Sequence, residues 1–189
     1  MEPKIILSLK DFEKLFSLDR LVSNKKVDTF SCSIEEYNVY LAEEALKSQN
    51  DMIAVTYLLY DKNNDDIVAY MSLIADAIRL NATEKELHDL KYPFKTIPAV
   101  KIAKLAVSIL YKERFSGIGS TMISLAAGIA NATYKERVAC RFLTVDADIE
   151  HDKGVLEFYK KNGFIPNEEM NNKNNKTTNM RRDLLKGLG

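Results

Sequence analysis

The chain has 189 residues, 46% of them apolar, and its basic and acidic side chains balance at 27 each. That length and content suit one domain, 1–189, with a continuous core, and argue against a disordered chain. Balanced charge supplies no global field for nucleic acid, although it leaves room for a local basic face.

No apolar run reaches the roughly 18 residues needed to cross a bilayer. Met1-Glu2-Pro3-Lys4 lacks the layout of a signal peptide, so a cytoplasmic protein is expected. Cys32 and Cys140 are too few and too far apart for a zinc cluster or a disulfide framework, and they read as buried structural thiols. His88 and His151 have no ligand spacing, so no metal is expected.

In chain order, residues 4–9 read as a short strand and 10–18 as a helix with Phe12, Leu15 and Phe16 on one side. Ser33 is a candidate N-cap, with Glu36 three residues on as in a capping box. Tyr37, Tyr40, Leu41, Ala45 and Leu46 then recur at helical spacing, a stripe that reads as core. Residues 52–60 and 67–74 are rich in β-branched and aromatic side chains, and the Asp/Asn cluster 61–66 joins them as an antiparallel hairpin. That cluster lacks the glycine and terminal glutamate of an EF-hand, so it reads as a solvated turn. Residues 81–96 form a polar insertion, with Thr83 capping a short helix, Glu86 at its third position, and Pro93 and Pro98 bounding the exit. It reads equally as a surface excursion or as a segment that shapes substrate choice.

The stretch 100–121 organises the chain. An apolar strand comes first, and its parity slips: Val100 and Ile102 mark one face, while Leu105, Val107 and Ile109 fall on the other. With side chains alternating at period two, such a slip implies a bulge, a twist, or a change in what is buried. After a polar elbow, Arg114-Phe115-Ser116-Gly117-Ile118-Gly119 opens a helix carrying Met122, Leu125, Ala126 and Ile129, with Ile123, Ala127 and Ala130 beside them. Free N–H groups and partial positive charge at a helix start attract phosphate, and glycine lets the backbone approach it. Further on, 141–147 is a strand, and a helix over 153–162 stops at Gly163. Residues 171–179 read as a mobile Asn/Lys/Thr loop and 180–185 as a last strand, with Arg181 and Arg182 as solvated charge.

Arg114-x-x-Gly117-x-Gly119 after an apolar strand, followed by Tyr159-x-x-x-Gly163-Phe164, resembles the GNAT superfamily of N-acetyltransferases. Phe30-Ser31-Cys32 and the helix after it are similar to the opening of a bacterial subgroup that includes the toxins of toxin–antitoxin modules. The resemblance covers most of the chain. It implies a mixed α/β fold with a mostly antiparallel sheet of six to seven strands, splayed at its middle, with helices on both faces. It also implies acetyl-CoA as the acyl donor and an amine as acceptor, and it allows a homodimer.

Under that resemblance, backbone groups of Leu105, Ala106 and Val107 pair with the pantetheine arm, and the Val107 N–H faces the thioester carbonyl, where negative charge develops. Arg114, Phe115, Ser116, Gly117, Ile118, Gly119, Ser120 and Thr121 form the pyrophosphate loop, with Phe158 beside the cofactor. Tyr159 becomes the general acid toward the departing thiolate; the alternative is that it anchors packing beside Phe158. Phenol and thiol reference values near 10 and 8.5 make that proton transfer mildly uphill unless it accompanies C–S cleavage. Seven residues before the tyrosine many members carry Asn, where this chain has Asp152, and no role is carried over. No general base stands out among Asp76, Glu150 and His151. The acceptor could be a small molecule, a protein amine, or the amino group of an aminoacyl-tRNA. The last makes the protein a toxin with an antitoxin partner, and balanced charge weighs against it. A binding module that keeps the acyl-CoA cleft without turnover is a further reading.

Overall fold

The computed structural model describes residues 3–24, 26–136, 138–169 and 176–186. They form two compact units: Met1–Ile74 with Ala103–Ser124, and Ala75–Ile102 with Leu125–Gly189.

In the first unit β1 (Ile5–Ile6) pairs in parallel with β6 (Phe115–Ser116). Helix α1 (Leu9–Leu15) starts at Ser8, whose hydroxyl accepts the Asp11 N–H at 3.2 Å. It stops earlier than its periodicity implies. Phe16 is extended and buried against Phe12, ring centroids 5.0 Å apart, and opens β2 (Phe16–Arg20), where Leu18 lies opposite Leu59. Tertiary packing overrides local propensity here.

Helix α2 (Glu35–Val39) passes through a π turn (Tyr40–Glu44) into α3 (Ala45–Asn50). The cap expected from Ser33 does not form. Ile34 holds the N-cap position without a side-chain bond, and Asn38 reaches back, accepting the Cys32 N–H at 2.8 Å. The hairpin of β3 (Val55–Asp61) and β4 (Ile67–Arg79) forms as expected, with a register shift at Leu59/Tyr60. Ile67 to Leu73 are buried at seven consecutive positions, so both faces of β4 are covered there.

In the second unit α4 (Ala82–Leu87) is capped by Asn81 and Glu84, two residues before the expected Thr83 and Glu86. Asn81 Oδ1 accepts the Glu84 N–H at 2.8 Å, and Glu84 Oε2 accepts the Asn81 N–H at 3.0 Å. Strand β5 (Thr96–Val107) enters this unit through residues 96–102 and pairs with β7 (Phe142–Asp148) from Ala99 to Ile102, and α7 (Val155–Lys161) comes after β7. Strands β8 (Ile165–Pro166) and β9 (Thr177–Asp183) close the unit, β9 starting three residues before the expected position. Most of the expected mobile loop lies outside the described residues. The hydrogen-bonded order is β2-β3-β4-β5-β7-β9-β8, a mixed seven-stranded sheet. The β5–β7 pair is parallel, whereas β2–β3, β3–β4, β7–β9 and β8–β9 are antiparallel.

Arg181 is not solvated. It is 1% exposed, with its guanidinium 2.6 Å from Glu84 Oε1 and 3.0 Å from the Pro166 carbonyl. Among the described residues no helix is long and apolar enough to cross a membrane.

Candidate functional site

Strand β5 has a parity slip, but not the expected one: it falls before Ile102 and in the opposite sense, and Leu105 and Val107 are only half-buried. Ile97 and Ala99 are buried on one register, then Ile102 and Ala106 on the other. Its ladder with β7 runs from Ala99↔Phe142 to Ile102↔Val145, and β5 continues to Val107 beyond the last pair. Backbone groups of Leu105 and Val107 on that side are therefore outside the β7 ladder, which is what an added extended ligand needs. On the other side the strand is held: the Ser108 N–H donates to the Val68 carbonyl at 2.9 Å, and Ala106 sits in a buried cluster with Tyr70. Ile109, expected on the strand, instead starts helix α5 (Ile109–Arg114), and its N–H donates to the Ser31 carbonyl at 2.9 Å. The Phe30-Ser31-Cys32 segment is thus fastened to the end of β5, with Phe30 edge-on to Tyr70 at 5.3 Å. Burial raises the Cys32 thiol above its ordinary range, in keeping with a structural role.

After α5 comes Phe115, buried against Phe16 at 5.8 Å and Tyr111 at 6.2 Å. Tyr111 donates to Asp61 Oδ2 at 2.9 Å; burial first, and then that carboxylate, push its phenol up to about 12. Arg114 is exposed, its guanidinium 5.0 Å above the Phe115 ring. The chain then turns at Gly117, φ +91°, into α6 (Ile118–Glu136), a helix of 19 residues. The Gly117 carbonyl accepts the first helical bond, from the Thr121 N–H at 2.9 Å. The N–H groups of Ile118, Gly119 and Ser120 precede that bond and lie outside the helical ladder. A Cβ built on Gly117 meets nothing within 4 Å, so the space over this turn is open. Ser116 is exposed and Gly119, Ser120 and Thr121 are half-buried, while Ile118 is buried and anchors the helix start. The residues expected to cradle the pyrophosphate and the end of β5 thus belong to one unit.

Phe158 and Tyr159 belong to the other. Helix α7 ends in a Schellman motif: Gly163 takes φ +82°, the Phe164 N–H reaches the Tyr159 carbonyl at 3.1 Å, and the Gly163 N–H reaches Lys160 O at 3.0 Å. Tyr159 is buried, with Phe158 at 5.1 Å and Phe164 at 5.3 Å around its ring. The Tyr-x-x-x-Gly-Phe spacing therefore has a local physical cause: a Schellman turn pairs the residue after glycine with the one four before glycine, in both hydrogen bond and apolar contact. Asp152 Oδ1 accepts the Gly154 N–H at 2.8 Å at the entrance to α7. An asparagine carbonyl could accept the same bond, so the exchange at this position preserves the turn.

Of the suggested bases, Asp76 accepts the Thr144 hydroxyl at 2.6 Å. Glu150 pairs with Lys176 at 3.0 Å, and His151 Nδ1 lies 2.8 Å from Asp148 Oδ2. Among the described residues no group of three His, Cys, Asp or Glu side chains is arranged to hold a metal. Two features escaped the sequence reading. Lys104 on β5 sits 4.6 Å over the Tyr37 ring and 5.6 Å from Tyr40, where the π turn begins. Next to Thr144, Lys101 pairs with Asp146 at 2.6 Å. Both join strand residues to partners far along the chain, so spacing alone carries no signal for them.

The sequence matches no protein-family model and no curated protein. Its structure is similar to that of AtaT complexed with acetyl-methionyl-tRNAfMet, at TM-score 0.76 and 20% identity over 90% of this chain and 96% of that one. The chain has the fold of the GNAT acetyltransferases. A mutant of KacT gives TM-score 0.75 at 15% identity over 91% of this chain and 96% of that one. A mutant AtaT toxin bound to the C-terminus of the antitoxin AtaR and acetyl-CoA gives 0.67 at 18% identity, over 90% and 94%. The mixed, mostly antiparallel sheet of six to seven strands expected from the resemblance is thereby borne out, with seven strands in the described residues.

Proposed function

We propose that this chain is an acetyl-CoA-dependent N-acetyltransferase acting on a primary amine, and that the amine is carried by an aminoacyl-tRNA. The observation that carries the reading is the turn at Gly117, where φ +91° and open space above it start the 19-residue helix α6, after β5 and the short α5 and β6. Such a start favours negative charge by about 0.3–1 kcal/mol per contact, which suits a pyrophosphate. Likeness to AtaT bound to acetyl-methionyl-tRNAfMet supports the tRNA-borne amine over the small-molecule or protein amine that balanced charge favoured. Net charge is an average over the whole surface and does not report on one face. An antitoxin partner belongs to the same reading, by likeness to the AtaT toxin bound to AtaR.

In this scheme the amine attacks the thioester carbon, a C–N bond forms, the C–S bond breaks, and Tyr159 gives its phenolic proton to the sulfur, while the proton shed by the attacking nitrogen passes to solvent and solvent returns one to the phenolate. Val107 N–H holds the carbonyl oxygen as charge builds on it. The alternative of a binding module also has an observation in its favour, because the Schellman turn accounts for Tyr159 without chemistry.

Tyr159→Phe separates the two, since it keeps the ring contacts with Phe158 and Phe164 and removes only the hydroxyl. Thiol release from acetyl-CoA, followed with aminoacyl-tRNA and an amine panel, is expected to fall by ~10²–10⁴ in kcat while calorimetric acetyl-CoA affinity holds. Saturable acetyl-CoA binding with no turnover on any acceptor makes the chain a module. Absence of acetyl-CoA binding overturns both readings.

A further inference from the structure

Between α4 and β5 the chain reads Lys91-Tyr92-Pro93-Phe94-Lys95, two rings interleaved with two cations. Tyr92 and Phe94 are 62% and 64% exposed. Just ahead of them Leu90 turns inward, against a buried cluster that includes Ile97 and Phe142. The segment therefore buries its aliphatic residue and holds its aromatic ones in water, against the usual ordering by the hydrophobic effect. The two rings stack with planes 24° apart and centroids 6.3 Å apart. Pro93 between them fixes its own φ and keeps Tyr92 extended, so little chain entropy is lost when the rings engage a ligand.

The root of this loop is bonded to α4. Lys85 Nζ donates to the Phe94 carbonyl at 3.2 Å, and α4 beneath it is fastened by the buried Glu84–Arg181 pair. Lys91 and Lys95 are exposed, and Lys91 shares a surface ion pair with Asp89 at 3.2 Å that solvent screens.

We propose that Tyr92 and Phe94 form a stacking platform for unpaired nucleotides of an RNA, with Lys91 and Lys95 meeting its phosphates. Aromatic faces accept any base, and interleaved cations follow the backbone, which is the chemistry of single-strand binding. Residues 91–95 set one lysine on each side of the ring pair, the charge that a nucleotide's phosphates complement. The proposal deepens the reading of a tRNA-borne acceptor and rests on it for the identity of the RNA.

The experiment is fluorescence anisotropy of the full chain with a labelled single-stranded RNA of about 12 nucleotides, and with the same sequence as a duplex. The single strand is expected to bind more tightly than the duplex. Tyr92→Ala and Phe94→Ala are each expected to weaken it about tenfold, while Tyr92→Phe keeps wild-type affinity. Lys91→Gln and Lys95→Gln are each expected to flatten the log–log salt dependence by ~0.7. Equal binding by the Tyr92→Ala/Phe94→Ala double variant, or no preference for the single strand, overturns the platform. So does self-association abolished in that double variant without any RNA binding, which would make the face a protein interface. Acetyl-CoA calorimetry on the same samples keeps the two ideas apart. RNA binding lost with acetyl-CoA binding intact removes the platform alone, whereas RNA binding without acetyl-CoA affinity removes the proposed enzyme.

Discussion

In the unit built from residues 1–74 and 103–124, the interior is rings and branched aliphatics, with Phe30, Leu58 and Tyr70 in one buried cluster. In the other unit the bulkiest fully buried side chain is an arginine. Arg181 Nη1 meets Glu84 at 2.6 Å, and its Nε donates to His88 Nε2 at 3.2 Å. Because that nitrogen accepts, His88 carries its proton on Nδ1, 2.8 Å from Asp183 Oδ2. Arg141 closes the set with two bonds to Asp183, at 3.0 and 2.8 Å. Glu84 is also satisfied by the N–H groups of Asn81 and Glu168. The first interior is maintained by volume, and the second adds to its own apolar cluster a set of buried, paired charges. The first fails when atoms are removed, and the second when a partner is removed.

The largest expected effect tests the second kind directly. Arg181→Met leaves the Glu84 carboxylate buried without its cation and is expected to cost about 3–5 kcal/mol in urea unfolding. Glu84→Gln combined with Arg181→Met is expected to recover most of that loss, because both charges leave together and the glutamine oxygen can still accept the capping N–H of Asn81. A double variant as unstable as the single one would mean that packing, not pairing, sets the cost. Leu58→Ala tests the first kind, with an expected loss of about 2–5 kcal/mol that does not change with pH.

The pH dependence sharpens the contrast. Burial holds His88 below its ordinary imidazole range, despite the opposing pull of Asp183. The unfolded chain therefore takes up the proton first, and the contribution from neutral His88 is present above pH about 6.5 and lost as pH falls through the depressed folded value. Asp183 is also held below its ordinary range. Burial works against this, but bonds from Arg141 and His88 outweigh it, and its contribution is lost at still lower pH. Urea midpoints are expected to fall between pH 7 and 5, and His88→Gln is expected to level that slope. An unchanged slope in the variant would rule out the imidazole as its source.

The smallest effects come from the glycine turns, one in each unit. Gly163→Ala and Gly117→Ala each force a left-handed residue and should cost about 1–2 kcal/mol. A Cβ at Gly163 comes no nearer than 3.6 Å to Arg182 and at Gly117 meets open space, so no clash is added. Only Gly117→Ala is expected to weaken acetyl-CoA binding in calorimetry. Equal affinity loss in both would dissociate the phosphate role from this turn.

Local signals alone determined the β3–β4 hairpin, the glycine turn before α6, and the stop of α7 at Gly163, because each is written within a few consecutive residues. The family resemblance was legible for the same reason: its two motifs are a helix start and a helix end. Ser33 and Thr83 were misread as caps because Asn38 and Asn81 were equally placed to bond the backbone, and local pattern does not rank them. Arg181 was misread as solvated because its partner Glu84 lies 97 residues away, and no local pattern encodes a contact of that span. Leu18 became strand because Phe16 had rings to pack against. Sequence spacing fixes where a backbone can bend and where it offers N–H groups. Which charges are stripped of water, and which rings are left in it, depends on distant strands being brought together, and tertiary structure alone decided that.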